Sequence, residues 1–498
     1  MAENNAGVEL SEGHRAALAW IEAGPKRMLI GGKHVDALSG RTFKTENPET
    51  EGTLVEVAEA EVADVDAAVR AARTAFESKA WAGMSPHART QVLLRIADLM
   101  ERHAEELAVL ETLDNGAPLT ITRRFVAYAA QTFRYYAGWP TKIMGTTSPT
   151  DPSKLVYVLR EPVGVCGLIN AWNAPLGQAA TKIAPALACG NTVLVKPAEQ
   201  TPLTTLRLCE LIMEADLPPG VINVLPGFGA KAGAAIVAHD GVDKVAFTGS
   251  TVIGKQILAA SAGNLKKLTL ELGGKSPNII FADADLDAAI VAAVNAFTRN
   301  SGQICSAGTR LFVHESLHDE VAEKIAKRAA GYKVGSPFDA KTELGPLISA
   351  RQMERVLGYV DSGRQQGATL SLGGGRVGNV GYFVAPTVFS RVGNDMKIAQ
   401  EEIFGPVLSV IPFKDDDDAV RKANDTQYGL AAAVWTRDLS RAHKVARALK
   451  AGRVWVNTYG EIDQVFSTGG YKQSGVGREM GPESIDAYTQ TKPVIVKL

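Results

Sequence analysis

Five short β-rich runs set the rhythm of this chain: VGVCGLI (163–169), TVLVK (192–196), VINVL (221–225), KVAFT (244–248) and KLTLEL (267–272). Their starts are 29, 29, 23 and 23 residues apart. Helical patterns fill the gaps, and that spacing lets a βαβ unit return the chain to a parallel neighbour. Each run meets Gly, Pro, Asn or Ser before the next helix. Open α/β sheets bind ligands at those carboxyl ends. The reading is an α/β fold with a parallel sheet.

Upstream, residues 59–113 recur in apolar character at three and four positions, the mark of amphipathic helices, and Asn115-Gly116 supplies a stop. A further helix is expected over about 120–136, and the first thirty residues read as a solvated helix and lead-in. Downstream, residues 277–472 form a second α/β region with strand-like RLFVH (310–314), YFVAPTVF (382–389), VLSVIPF (407–413) and RVWVN (453–457). LVYVLRE (155–161) and PVIVKL (493–498) fall outside both rhythms, and such strands need a partner, an obvious one being a second copy of the chain. The acidic run Asp415–Asp418 precedes AVRKAND and reads as the start of a helix, not a metal site.

The 498 residues predict two or three domains. With 46% apolar and 21% charged residues the chain is ordinary for a soluble globular protein, which excludes wholesale disorder. Its 53 Lys and Arg against 54 Asp and Glu give a net charge of -1, so no general electrostatic hold on nucleic acid or anionic lipid is expected. Substrate selection then falls to site shape and local groups. The four cysteines show no CxxC spacing and the eight histidines no HExxH, so neither a disulfide framework nor a metal centre is expected. A polar N-terminus (MAENNAGVELSEGH) and the lack of a long apolar run make a cytoplasmic setting the expectation.

Several stretches are able to carry chemistry. FTGSTVIG (247–254) ends a strand and opens a helix at Gly249-Ser250, a place for a phosphate or simply a tight turn. GFGAKAG (227–233) puts more glycines at the preceding strand end. Lys196 and Glu199, in TVLVKPAE, suit the two hydroxyls of an adenosine ribose or a surface ion pair. A carboxylate there repels a 2′-phosphate and favours NAD over NADP. Cys305, in SGQICSAGTR (301–310), is flanked by small residues that leave its sulfur approachable, whereas Cys166, Cys189 and Cys209 lie in or at the end of apolar runs and read as buried packing. Glu271 sits on a strand tail before two glycines, and Asn173 follows Trp172 on the loop after the first strand. Each has a plain structural reading as well: a loop acid, or a turn asparagine.

Taken together these motifs resemble the aldehyde dehydrogenase superfamily, in its NAD(P)-dependent, non-acylating branch. The likeness runs from about residue 25 to the C-terminus. It rests on NAWN (170–173), KPAEQTP (196–202), FTGSTxxG (247–254), LELGGKSP (270–277), GQICSAG (302–308), EEIFGPV (401–407) and GGYKQSGVGRE (469–479), in the family's order. The resemblance implies a Rossmann-type cofactor domain (1–142 and 162–273), an α/β catalytic domain (274–473) and a β-strand oligomerisation arm (143–161 and 474–498). The implied partners are a small aldehyde and further copies of the chain, as a homodimer or homotetramer.

The resemblance also implies roles. Cys305 is the nucleophile that forms a thiohemiacetal. Asn173 and the Cys305 N–H form an oxyanion hole, worth ~3–4 kcal/mol. Glu271 is the general base that hydrolyses the thioester left after hydride transfer. Lys182 and Glu479 support, as an ion pair does. Lys196 and Glu199 take the adenosine ribose, Gly249 and Ser250 the pyrophosphate, Gly229 and Gly233 the adenine side, Glu402 the nicotinamide ribose, and Phe404 packs beside it. Ile169, Trp172, Phe247, Ile253 and Leu272 complete the cofactor cleft. An acid at 271 points to a free carboxylic acid product, since acylating members lack it.

The substrate tunnel departs from the better-known members. Many carry aromatic rings at the positions of Ala174, Thr181, Ile462 and Thr468. Here none is aromatic, and Gln178 shares a helical face with Ala174 and Thr181, while Ile304 and Ser306 flank the nucleophile. Each lost ring removes ~150–250 Å² of contact surface, so a bulky, extended or partly polar aldehyde is expected. The missing aromatic box counts against a quaternary ammonium substrate. Two other readings use the same residues: thioester or ester hydrolysis by Cys305 and Glu271 without a cofactor, and a binding protein on a retired enzyme scaffold.

Overall fold

A computed structural model describes residues 11–498, so most of the polar N-terminal stretch lies outside the described residues. The first helix, Glu12–Glu22, opens on Ser11, whose side chain accepts the His14 N–H. It buries Ala17 and Ile21 in the main core, so it is docked, and the expected solvated helix is corrected. The next helices are Val62–Glu77, Pro86–Arg102, Ala104–Asn115 and Leu119–Ala137. Pro86 takes the first helical position, where no N–H is needed, and Ser85 caps it. The stop at Gly116 is steric as well as conformational. Its φ is +82°, and a Cβ there would lie 2.7 Å from Pro346 Cγ.

The five strands read from spacing all form, as Val165–Ile169, Thr192–Lys196, Ile222–Val224, Lys244–Thr248 and Lys267–Glu271. They run parallel. From Val165–Ile169 the sheet grows to Thr192–Lys196 and Ile222–Val224 on one side, and to Lys244–Thr248 and Lys267–Glu271 on the other. This reversal of direction opens a crevice beyond the carboxyl ends of the strands. Antiparallel strands finish both edges: Met28–Ile30 with Lys33–Val35, and Gly475–Val476 against Leu270-Glu271.

The second α/β region holds a seven-stranded sheet in the order Thr369–Leu372, Thr387–Ser390, Val407–Phe413, Arg310–His314, Pro277–Ile280, Ala431–Trp435, Arg453–Val456. Only Thr369–Leu372 is antiparallel to its neighbour. The expected strand YFVAPTVF is shortened, because Pro386 removes a donor and pairing begins at Thr387. Asp415 caps the helix Asp416–Asn424 by accepting the Asp418 N–H, as the acidic run predicts.

The two strands outside both rhythms find each other. Lys154–Pro162 pairs antiparallel with Thr489–Lys497 through nine residue pairs, and Thr146–Ser148 adds a third strand. Their first partner is thus intramolecular, in place of the second copy that was the obvious candidate. Among the described residues, no helix is long and apolar enough to cross a membrane.

Candidate active site

Cys305 lies on the loop between the helix Leu286–Thr298 and the strand Arg310–His314. The approach to it is bent: Asn300, Ser301 and Gly302 take φ values of 50°, 54° and 74° in succession. Left-handed backbone at non-glycine residues costs about 1–3 kcal/mol each, so the loop must be held from outside. Asn300 Nδ2 donates to Asn173 O at 2.8 Å and Ser301 Oγ to Gly345 O at 2.7 Å. Gln303 accepts the Ile348 N–H at 3.0 Å. Gly302 is obligatory, since a Cβ there would sit 2.2 Å from Gly405 O.

The same contacts bring Asn173 to the nucleophile. Its Nδ2 donates to Gln303 O at 2.8 Å, two residues before Cys305. Its Oδ1 accepts from Gln178 Nε2 at 2.8 Å, and Gln178 Oε1 accepts the Ala171 N–H at 2.7 Å. The second Nδ2 hydrogen has no partner among the described residues. Cys305 keeps partial exposure at the bottom of a cleft, and the other three cysteines are buried. Few waters reach its sulfur, so desolvation dominates and pushes the thiol up to about 12. The charges of Glu402 and Glu271 act the same way, while the Ser306 and Cys305 N–H groups oppose them.

Glu271 ends its strand with Oε1 buried and unpartnered among the described residues. Burial, then the nearby charge of Glu479, raises its carboxyl well above the ordinary range. Lys182 pairs with Glu479 at 3.0 Å and donates to Thr248 Oγ1 at 2.7 Å, with both charged side chains almost fully buried.

The crevice of the parallel sheet gathers the remaining motif residues. Lys196 Nζ, buried, donates to Pro197 O at 2.7 Å and reaches Glu199 at a long 3.5 Å. Gly233 lies against the Lys196 side chain, and a Cβ there would come to 3.4 Å. Ser250 caps the helix Thr251–Ala260, whose Ile253 is 43% exposed towards open space. Gly249 donates its N–H to Glu271 O at 3.0 Å and faces the Phe247 ring. Ile169 and Leu272 are buried at their strand ends. Glu402 accepts the Gly274 N–H at 3.1 Å, and burial lifts its carboxyl to about 7. Trp172 meets Phe404 edge-on at 5.1 Å. Both amide atoms of Asn170 are buried without a partner among the described residues. The Lys196–Glu199 pair, the buried Glu402 carboxyl, the glycines at 233 and 249 and the unsatisfied Asn170 amide are groups that the hydroxyls and phosphates of a dinucleotide could bond. Among the described residues, no group of three or more His, Cys, Asp or Glu is placed to hold a metal.

The tunnel positions Ala174, Thr181, Ile304, Ser306, Ile462 and Thr468 are non-aromatic, as read. Two structural facts alter the picture. Gln178 is engaged by Asn173 and Ala171, and so fixes the orientation of the Asn173 amide. Sequence reading also missed Tyr128, Arg453 and Phe466. Tyr128 OH donates to Met480 Sδ at 3.1 Å, and Thr468 Oγ1 approaches the same sulfur at 3.5 Å. Arg453 Nη2 bonds Thr468 Oγ1, and its guanidinium lies 5.5 Å from the Phe466 ring. No motif marks these residues, because they come from a helix, a strand and a loop remote from Cys305 in sequence.

A family model described as "Aldehyde dehydrogenase family" matches residues 34–494. The chain is 51% identical over 481 residues to the mitochondrial aldehyde dehydrogenase family 2 member B4 of Arabidopsis thaliana, covering 96% of this chain and 89% of that one. It is 50% identical over 475 residues to the mitochondrial aldehyde dehydrogenase of Homo sapiens, covering 95% and 92%. The solved NAD+ complex of the Bacillus cereus aldehyde dehydrogenase superposes with a TM-score of 0.96 at 49% identity, over 99% of both chains.

Proposed function

Because the chain belongs to the aldehyde dehydrogenase family, whose activity is aldehyde oxidation, we propose that it converts its aldehyde to the free carboxylic acid with NAD. The observation that carries this reading is the 2.8 Å bond from Asn173 to the backbone of Gln303. It ties the Asn173 amide to the loop that carries Cys305, which supports its second N–H as a donor to an oxyanion formed there.

The Cys305 thiol gives up its proton to solvent as its sulfur adds to the aldehyde carbon, and the Asn173 amide and the Cys305 N–H share the negative charge on oxygen. NAD, when bound in the crevice lined by Lys196, Glu199, Gly249 and Glu402, would supply the hydride acceptor, and Cys305 would then carry the acyl group as a thioester. Glu271, once deprotonated, takes a proton from water and directs the hydroxide at the thioester. A carboxylate is the right group here, because its neutral form survives beside the thiolate and its charged form is a base. Lys182 and Glu479 hold the polarity of this wall without touching the reacting atoms.

Lys196 and Glu199 hold the adenosine ribose, Gly249 and Ser250 approach the pyrophosphate, and Glu402 with Phe404 lies at the nicotinamide end. The Glu199 charge disfavours a 2′-phosphate, hence NAD over NADP. The small residues Ala174, Thr181 and Thr468 suit a bulky, extended or partly polar aldehyde. The arm exposes Leu155, Leu159, Val496 and Leu498, an apolar face that supports assembly with further copies of the chain. The test is NADH appearance with straight-chain, branched and aromatic aldehydes, using NAD and NADP. Oxidation with NAD and a broad or large-substrate preference supports the reading. Equal use of NADP, or a sharp optimum at acetaldehyde, contradicts its finer parts, and no turnover with any aldehyde contradicts the whole.

A further inference from the structure

Arg453 is out of keeping with a tunnel for neutral aldehydes. It opens the last strand of the catalytic sheet, is half-buried, and forms no salt bridge among the described residues. Among the described residues its side chain makes one hydrogen bond, from Nη2 to the hydroxyl of Thr468, a residue of the proposed tunnel. Nε is buried without a partner, and Nη1 makes no hydrogen bond, among the described residues. Placing a guanidinium out of bulk water without an anion is costly. The surroundings nevertheless hold it in one place: Trp455 and Phe466 flank it at 5.6 and 5.5 Å. Its charge is felt at both Cys305 and Glu271.

We infer that Arg453 anchors a carboxylate carried at the far end of the aldehyde substrate, so that this site selects anionic aldehydes. The inference rests on the aldehyde-oxidation reading above. The planar guanidinium with an unpartnered N–H is matched to a carboxylate, and the Tyr128 and Thr468 hydroxyls provide a polar lining beside it. Further out, Arg299 is exposed, makes no hydrogen bond or salt bridge among the described residues, and lies within electrostatic reach of Arg124 and Glu461. The acids on this side, Glu461 and Asp463, are both exposed, where water screens them. A role for Arg453 confined to Glu271 explains less. Lys182 and Arg478 act on that carboxyl more strongly, and such a role leaves no purpose for an unpartnered Nη1.

The experiment compares kcat/KM for ω-oxo carboxylates of increasing length with the methyl esters of the same acids, in wild type, Arg453→Met and Arg453→Lys, at low and high salt. The wild type is expected to prefer the acids by about tenfold or more, with the preference shrinking in salt. Arg453→Met should lower that ratio about tenfold through KM, and Arg453→Lys should restore part of it. If Arg453→Met does not fold, the wild-type ratio and its salt dependence decide alone. Equal or better use of the esters by wild type, or a ratio unmoved by Arg453→Met, overturns the anchor and leaves aldehyde oxidation standing. Oxidation of neither series overturns both.

Discussion

Gln178 Nε2 donates to Asn173 Oδ1 at 2.8 Å, and Gln178 Oε1 accepts the Ala171 N–H at 2.7 Å. A backbone N–H only donates, so it fixes which end of the Gln178 amide faces it. That in turn fixes Asn173: its oxygen faces Gln178, and its nitrogen faces Gln303 O and the cleft. In the proposed mechanism the oxyanion donor is therefore set by a residue that does not touch the reacting atoms.

Gln178→Met keeps the length of the side chain and removes both bonds. It should lower kcat by about ten- to a hundredfold, part of the loss expected for removing an oxyanion donor outright. KM should move less. Steady-state kinetics with one neutral aldehyde checks this, and a change confined to KM contradicts it.

Glu271→Gln should slow turnover by about 10²–10⁴-fold, because no base remains for the thioester. The first turnover should still produce NADH. In the parent enzyme the hydrolytic step should rise with pH, since burial and Glu479 hold Glu271 protonated until above the ordinary carboxylate range. Stopped-flow traces across pH read both effects, and loss of the first turnover contradicts the assignment.

The Lys182–Glu479 pair couples stability to that pH profile. Glu479→Gln leaves Lys182 buried without its counter-charge and should destabilise the fold by about 3–5 kcal/mol. It also removes a negative charge that raises Glu271, so the pH–rate limb should move to lower pH. Denaturant unfolding and the pH–rate curve measure the two separately. An unmoved limb contradicts the coupling.

Glu402 should make the cofactor-free protein less stable as pH rises. Its folded value near 7 exceeds the ordinary value, so the folded state binds more protons between the two, and stability falls with pH across that window. Glu402→Gln should accordingly raise Tm relative to wild type more at pH 8 than at pH 5. Thermal unfolding at both pH values tests this, and an equal difference contradicts it.

Much of this was legible in the residues. The strand spacing found the cofactor sheet because each βαβ unit is a local object with a fixed length. Ala431–Trp435 escaped because an alanine run favours helix, and only burial between two neighbouring strands makes it extended. Pro277–Ile280 escaped behind the glycines of a motif. The arm strands were visible, but nothing local in Lys154–Pro162 records that its partner lies more than three hundred residues away. In the site, separate motifs do meet: Asn173 bonds the loop of Cys305, Gly249 bonds Glu271, and Trp172 packs on Phe404. Gln178 was placed on the tunnel by helical periodicity, which describes faces but not the bonds a long amide makes back to its own loop.

The central claim is that Cys305 carries the acyl group and Glu271 releases it. The most direct measurement is a single turnover of Glu271→Gln with NAD and an aldehyde, quenched in acid, with intact and peptide mass determined. The account predicts an added acyl mass on the peptide containing Cys305, in step with one NADH per active site, and no adduct when Cys305→Ala is combined with it. NADH formed without an adduct, or an adduct on another residue, would contradict it.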